Sequence, residues 1–180
     1  MSLFKTSILI TTSTLLMSGA ALAADPVEYP PLPEEYESNG FDWDGFYAGI
    51  GLSGSSLSND TNTVNRAYVD AIIGFNATYN DFLVGVEGWA NVHDAINIAD
   101  YGYGIGVEGR MGYLVTDSVL VYGGIGQYLF DGGALYSTAG IGTEFAISDE
   151  MSLDLEYKYW YTQANDYSGH SLGASALWHF

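Results

Sequence analysis

From about residue 45 onward the chain alternates, position by position, between apolar residues and small, polar or charged ones. The stretch 152–161 shows it most clearly. Leu153, Leu155, Tyr157, Tyr159 and Tyr161 fall on one face, and Asp154, Glu156, Lys158 and Trp160 on the other. Period-two alternation sends successive side chains to opposite faces of a strand. Eight such stretches are predicted near 45–54, 67–78, 82–92, 101–113, 119–129, 134–147, 152–161 and 171–180. A soluble barrel would turn the aliphatic face inward. Here the charged face carries acids and bases suited to mutual pairing, and the apolar face is nearly continuous. The pattern is better met with apolar side chains against lipid and charges in the lumen. The expected fold is all-β, an eight-stranded antiparallel transmembrane up-and-down β-barrel over residues 45–180. Strands of this length suit a tilted membrane crossing of about 9–11 residues.

The connections alternate in length. Asn80-Asp81, Thr116-Asp117-Ser118 and Ser148-Asp149-Glu150 read as tight polar turns. The segments 55–66, 93–100, 130–133 and 162–170 read as longer loops, the third nearly as short as a turn. Short turns belong on the periplasmic side and longer loops outside, so an even strand number leaves both termini periplasmic. Asn and Ser between Ser53 and Asn65 suit a hydrated display loop.

Composition sharpens this picture. The chain holds 23 Gly and 15 Tyr, and no Cys. Glycine lets a narrow wall pack closely, and tyrosine suits an interface where a ring meets lipid and a hydroxyl meets water. Without cysteine, neither a disulfide framework nor a thiolate metal site is available. Residues 1–23 read as a signal peptide: Lys5 gives the basic start, Ile8 to Met17 the apolar run, and Ala21-Leu22-Ala23 the cleavage site. Residues 24–44 hold four prolines, seven acids and no base, and read as an extended periplasmic lead-in. From Ala24 on, Arg66, Arg110 and Lys158 stand against 22 acids, a formal charge of −19. Nucleic acid is excluded as a partner on that balance, because phosphate binding needs clustered cations. Lipopolysaccharide phosphates would be met through divalent cations bridging to carboxylates.

Trp43-Asp44-Gly45-Phe46-Tyr47-Ala48-Gly49 resembles the opening strand of a family of small outer-membrane β-barrels common in alphaproteobacteria. That family is related to opacity-type and OmpA-like barrels and is often labelled "porin family". Val84-Gly85-Val86-Glu87-Gly88, then 106–113 (Gly-Val-Glu-Gly-Arg-Met-Gly-Tyr), then Val121-Tyr122-Gly123-Gly124-Ile125-Gly126 resemble successive strands of it in order. The resemblance runs over residues 41–180. It implies an outer-membrane location, contact with outer-membrane lipid and lipopolysaccharide, and insertion by the barrel-assembly machinery. Trp178 and Phe180, alternating on the last strand, are the implied assembly signal.

Alternation places Glu87, Glu108, Arg110, Glu144, Asp154, Glu156 and Lys158 inward as a lumen charge cluster. An eight-stranded barrel is just wide enough for side chains to fill. Arg110 can fork two carboxylates, and Lys158 can meet another. The cluster is expected to plug the lumen rather than line an ion path. His93-Asp94 and Asp166 with His170 fall in expected outer loops without metal-ligand spacing and read as solvated. His170 and Ser171 are adjacent, so they face opposite sides of a strand and cannot share a relay. No cofactor, metal or catalytic residue is expected. The functional expectation is a non-enzymatic outer-membrane role, structural or in surface interaction, with an extracellular ligand met by the loops. A narrow porin-like channel is the second reading, and a lipid-modifying enzyme the third.

Overall fold

A computed structural model describes residues 40–93, 102–162 and 167–180. The signal-peptide reading, most of the acidic lead-in, Asp94 and Asp166 lie outside them. Eight strands follow in chain order: β1 Gly45–Ser58, β2 Thr63–Tyr79, β3 Phe82–His93, β4 Gly102–Thr116, β5 Val119–Phe130, β6 Leu135–Ala146, β7 Met151–Tyr161 and β8 Ser168–His179. Each pairs antiparallel with the next. The β1–β8 pairing, from Tyr47 opposite His179 to Ser58 opposite Ser168, closes the barrel.

The wall is inverted relative to a soluble protein. Ile50 is 71% exposed and Ile125 73%, while Glu144 is fully buried. The outward face is a belt of such residues, including Phe46, Leu52, Ile73, Ile105 and Ile141. So continuous an apolar surface is compatible with hydrocarbon around it rather than water.

The turn end is tight. Tyr79 pairs with Phe82 across Asn80-Asp81, and Asn80 takes φ +54°, a left-handed conformation that asparagine tolerates. At the loop end the structure corrects the expected first loop. Residues 55–58 and 63–66 are strand, and only 59–62 connect them. Asn59 closes that link, its Oδ1 accepting from the Thr61 and Asn62 amides at 3.0 and 2.7 Å. The serines misled because they resemble loop composition. Their spacing keeps Ser53, Ser55 and Leu57 on the lumen side, where small hydroxyls have partners: Ser55 Oγ meets Tyr68 Oη at 2.9 Å. The third loop spans residues 131–134 and is as short as expected.

Inward aromatic rings lie flat over glycines of neighbouring strands. A Cβ on Gly74 would sit 2.1 Å from the Tyr47 ring, and one on Gly106 2.2 Å from Trp89. The abundant glycine therefore makes room for large rings inside a narrow tube.

Candidate functional site

The lumen is the one place where charge is concentrated among the described residues, and it is built in layers. At the turn end, Trp43, Leu83, Leu120 and Tyr122 form an apolar layer, with Phe41 and Leu114 against it. At the loop end, Leu57, Tyr68, Trp89, Tyr128, Phe130, Tyr136 and Trp160 form a second. The charge cluster lies between them.

Strand register creates the electrostatic problem. Glu87 stands directly opposite Glu108 across β3–β4, and Glu144 opposite Asp154 across β6–β7. Like charges so placed repel. Two cations reconcile them. Arg110 reaches from β4 to two other strands: Nη1 donates to Glu87 Oε2 and Nη2 to Glu144 Oε2, both at 2.9 Å. Nη1 also donates to Tyr47 Oη at 2.6 Å, and Tyr47 in turn donates to Glu87 Oε2 at 2.7 Å. The guanidinium lies 3.9 Å from the Tyr122 ring centre. Tyr122 Oη donates to Asp154 Oδ1 at 2.8 Å. The planar fork is what permits one residue to serve two carboxylates and a ring face at once.

Lys158 forms the second centre. Its Nζ is 2.9 Å from Glu108 Oε2 and 2.7 Å from Glu156 Oε2, and 4.1 Å from the Trp89 ring centre. Beside it is a cavity of about 50 Å³, lined by Asp70, Glu87, Asn91, Glu156 and several serines. A water needs roughly 10–15 Å³ of such volume, so a few fit.

All seven residues of the sequence-derived cluster thus face the lumen: Glu87, Glu108, Arg110, Glu144, Asp154, Glu156 and Lys158. Sequence reasoning missed several partners. Asp70 accepts from Ser53 Oγ at 2.8 Å and from Asn91 Nδ2 at 2.9 Å. His179 Nε2 lies 3.0 Å from Glu144 Oε1, and Ser152 Oγ donates to the same oxygen at 2.5 Å. The alternation that marks the inward acids also marks Asp70 and His179.

His93 is not a solvated loop residue. It ends β3, buried, 3.2 Å from Arg66 Nη1 and edge-on to Tyr68 and Phe130. His170 is also on a strand, β8, facing outward against Tyr157, with which it hydrogen-bonds. Ser171 faces the opposite way and accepts from Trp160 Nε1 at 2.7 Å. Ser152, His179 and Glu144 resemble a hydrolytic trio in composition only. The same Nε2 meets both the hydroxyl and the carboxylate, whereas a relay needs both ring nitrogens, and Ser152 has no exposure. Among the described residues no group of three or more acids and histidines converges as a metal site. Arg66, Arg110 and Lys158, the three bases after residue 23, all take inward positions on their strands.

No protein-family model and no curated protein matches the chain. Solved structures do. Neisserial surface protein A superposes with a TM-score of 0.55 at 18% identity, covering 76% of this chain and 98% of that one. Ail, the attachment invasion locus protein of Yersinia pestis, gives 0.55 and 18%, covering 76% and 99%. A second Ail structure, in complex with the heparin analogue sucrose octasulfate, gives 0.50 and 18% over 76% and 99%. The fold is that of small outer-membrane β-barrels. Trp178 and Phe180 lie on its outer face, 45% and 78% exposed, and the Phe180 amide donates to the Phe46 carbonyl at 2.9 Å.

Proposed function

We propose that this protein is a closed outer-membrane barrel with a structural and surface-interaction role, its lumen plugged by paired charges and rings. The supporting observation is the layered filling of the tube around one cavity of about 50 Å³: Trp43 and Leu120, then Arg110 and Lys158 with their carboxylates, then Phe130 and Trp160. The outward apolar belt supports contact with outer-membrane lipid. In this reading the signal peptide is removed, both termini and the tight turns are periplasmic, the loops face outside, and the barrel-assembly machinery reads Trp178 and Phe180.

Charge narrows the loop ligand. The bases are turned inward, while the described outer links carry Asp60 and Asp131. A neutral or cationic surface is the better partner. A sulfated polyanion of the kind seen with Ail finds no outward arginine or lysine among the described residues. Lipopolysaccharide phosphates are reached through divalent cations.

Planar-bilayer recording tests the plug. A plugged barrel gives no steady current, and a steady ohmic current would establish the porin reading instead. Lipid A mass spectra that change on deletion of the protein would establish the enzyme reading.

A further inference from the structure

The charge layer is sealed at the turn end by a segment outside the strands. Residues 40–44 precede β1 and take no part in the ladder, whose β1–β8 closure begins at Tyr47 opposite His179. Between segment and strand stands Gly45, with φ +106°, a backbone conformation that side chains other than glycine rarely adopt. There the chain folds back across the barrel mouth.

Its contacts are specific. Trp43 is 3% exposed, and its Nε1 donates to the Asp117 carbonyl in the β4–β5 turn at 3.1 Å. Phe41 meets Trp43 edge-on at 4.6 Å and the His179 ring at 4.8 Å. His179 in turn touches Glu144 and Ser152, so the segment's rings stand one residue away from the charge cluster. Asp44 ties the base of the segment to β2, its carboxylate accepting from the Thr78 amide at 2.6 Å and from the Thr78 hydroxyl.

We propose that residues 40–44 form a removable stopper of the turn-end mouth, hinged at Gly45. Seated, it keeps water and small ions off His179, Ser152 and Glu144. Withdrawn, it opens that end of the lumen while the wall stays closed. The arrangement suits withdrawal because wall closure and stopper seating use different bonds. The ladder is backbone pairing. The stopper is held by packing of Trp43 and Phe41 on Leu83, Leu120 and Tyr122, by one indole hydrogen bond, by ring edges and by the Asp44 tether.

The chain's lack of cysteine allows a direct test. Ser152→Cys puts a single thiol just beyond the stopper, and Ser171→Cys puts one in the loop half of the lumen. The probe is a small cationic methanethiosulfonate reagent, applied to the full chain folded in detergent micelles so that both ends are accessible. Phe41→Ala with Trp43→Ala should raise the labelling rate at position 152 by about tenfold or more, as local opening exposes the site. The rate at 171 should not change. An unchanged rate at 152 would overturn the proposal, since the mouth would be sealed without the segment. An equal rise at both positions would also overturn it, because the whole barrel would have loosened. If the double substitution prevents folding, Asp44→Ala releases the tether with both rings intact and is read against the same outcomes.

Discussion

The two cationic centres of the lumen face the same problem and solve it differently. Arg110 sits in the turn half, its side chain 1% exposed, with each carboxylate partner bonded also to a tyrosine, serine or histidine. Lys158 sits nearer the loop half, 9% exposed, beside the cavity. There one oxygen of Glu108 and one of Glu156 make no protein hydrogen bond among the described residues. At the first centre the carboxylates of Glu87 and Glu144 are completed by protein groups, and the unpaired atom is a donor, the Arg110 Nε–H. The second leaves one oxygen on each carboxylate unpaired, and Glu156 and Lys158 border a space that can hold water. A guanidinium fork can distribute donors around a dry centre, whereas an ammonium beside a cavity shares the work with solvent. Stability should therefore depend on the first centre more than on the second.

Arg110→Ala should give the largest loss, about 3–5 kcal/mol, because two buried carboxylates are left uncompensated. Arg110→Lys should restore only part, since an ammonium cannot span Glu87 and Glu144 as a fork. Urea unfolding followed by the heat-modifiable band on a gel measures both. Lys158→Ala should cost less, about 2–3 kcal/mol, as water in the cavity takes over some of the bonding to Glu108 and Glu156. A Lys158→Ala loss equal to that of Arg110→Ala would erase the distinction between dry and wet centres.

Glycine positions sharpen it from the packing side. Gly74→Ala pushes on Tyr47 and so on Arg110, and should cost about 1–2 kcal/mol. Gly106→Ala pushes on Trp89, which borders the cavity and has room to shift, and should cost less in the same titration. Asn80→Ala touches neither centre. Its left-handed turn position should cost about 1 kcal/mol and set the baseline for changes outside the lumen.

How much of this was legible beforehand follows from the range over which each feature is decided. Strand existence and facing come from period-two alternation, a local property, so the eight strands and the inward acids were readable one segment at a time. The extension of β1 and β2 was not. Ser53, Ser55 and Ser56 look like loop residues until Tyr68 and Arg66 stand across from them. The seating of Trp43 depends on a carbonyl 74 residues away. Beside Asp94 in the sequence His93 looks like a loop residue, yet its environment is made by Arg66, Tyr68 and Phe130 on other strands. Glu87 and Glu156 meet their cations from the neighbouring strand and the same strand, but the pairing of Glu144 with Arg110 and of Glu108 with Lys158 joins strands that are not neighbours and was out of reach.

The central claim is that the lumen charges form a coupled, buried network rather than the lining of a watery channel. A double-mutant cycle on Arg110→Met and Glu144→Gln, read by urea unfolding in one detergent, tests it most directly. The account expects the two losses to be non-additive, with a coupling energy of about 2 kcal/mol or more across the 2.9 Å pair. Losses that add to within about 0.5 kcal/mol would contradict it, since independent charges are what a hydrated lumen would show.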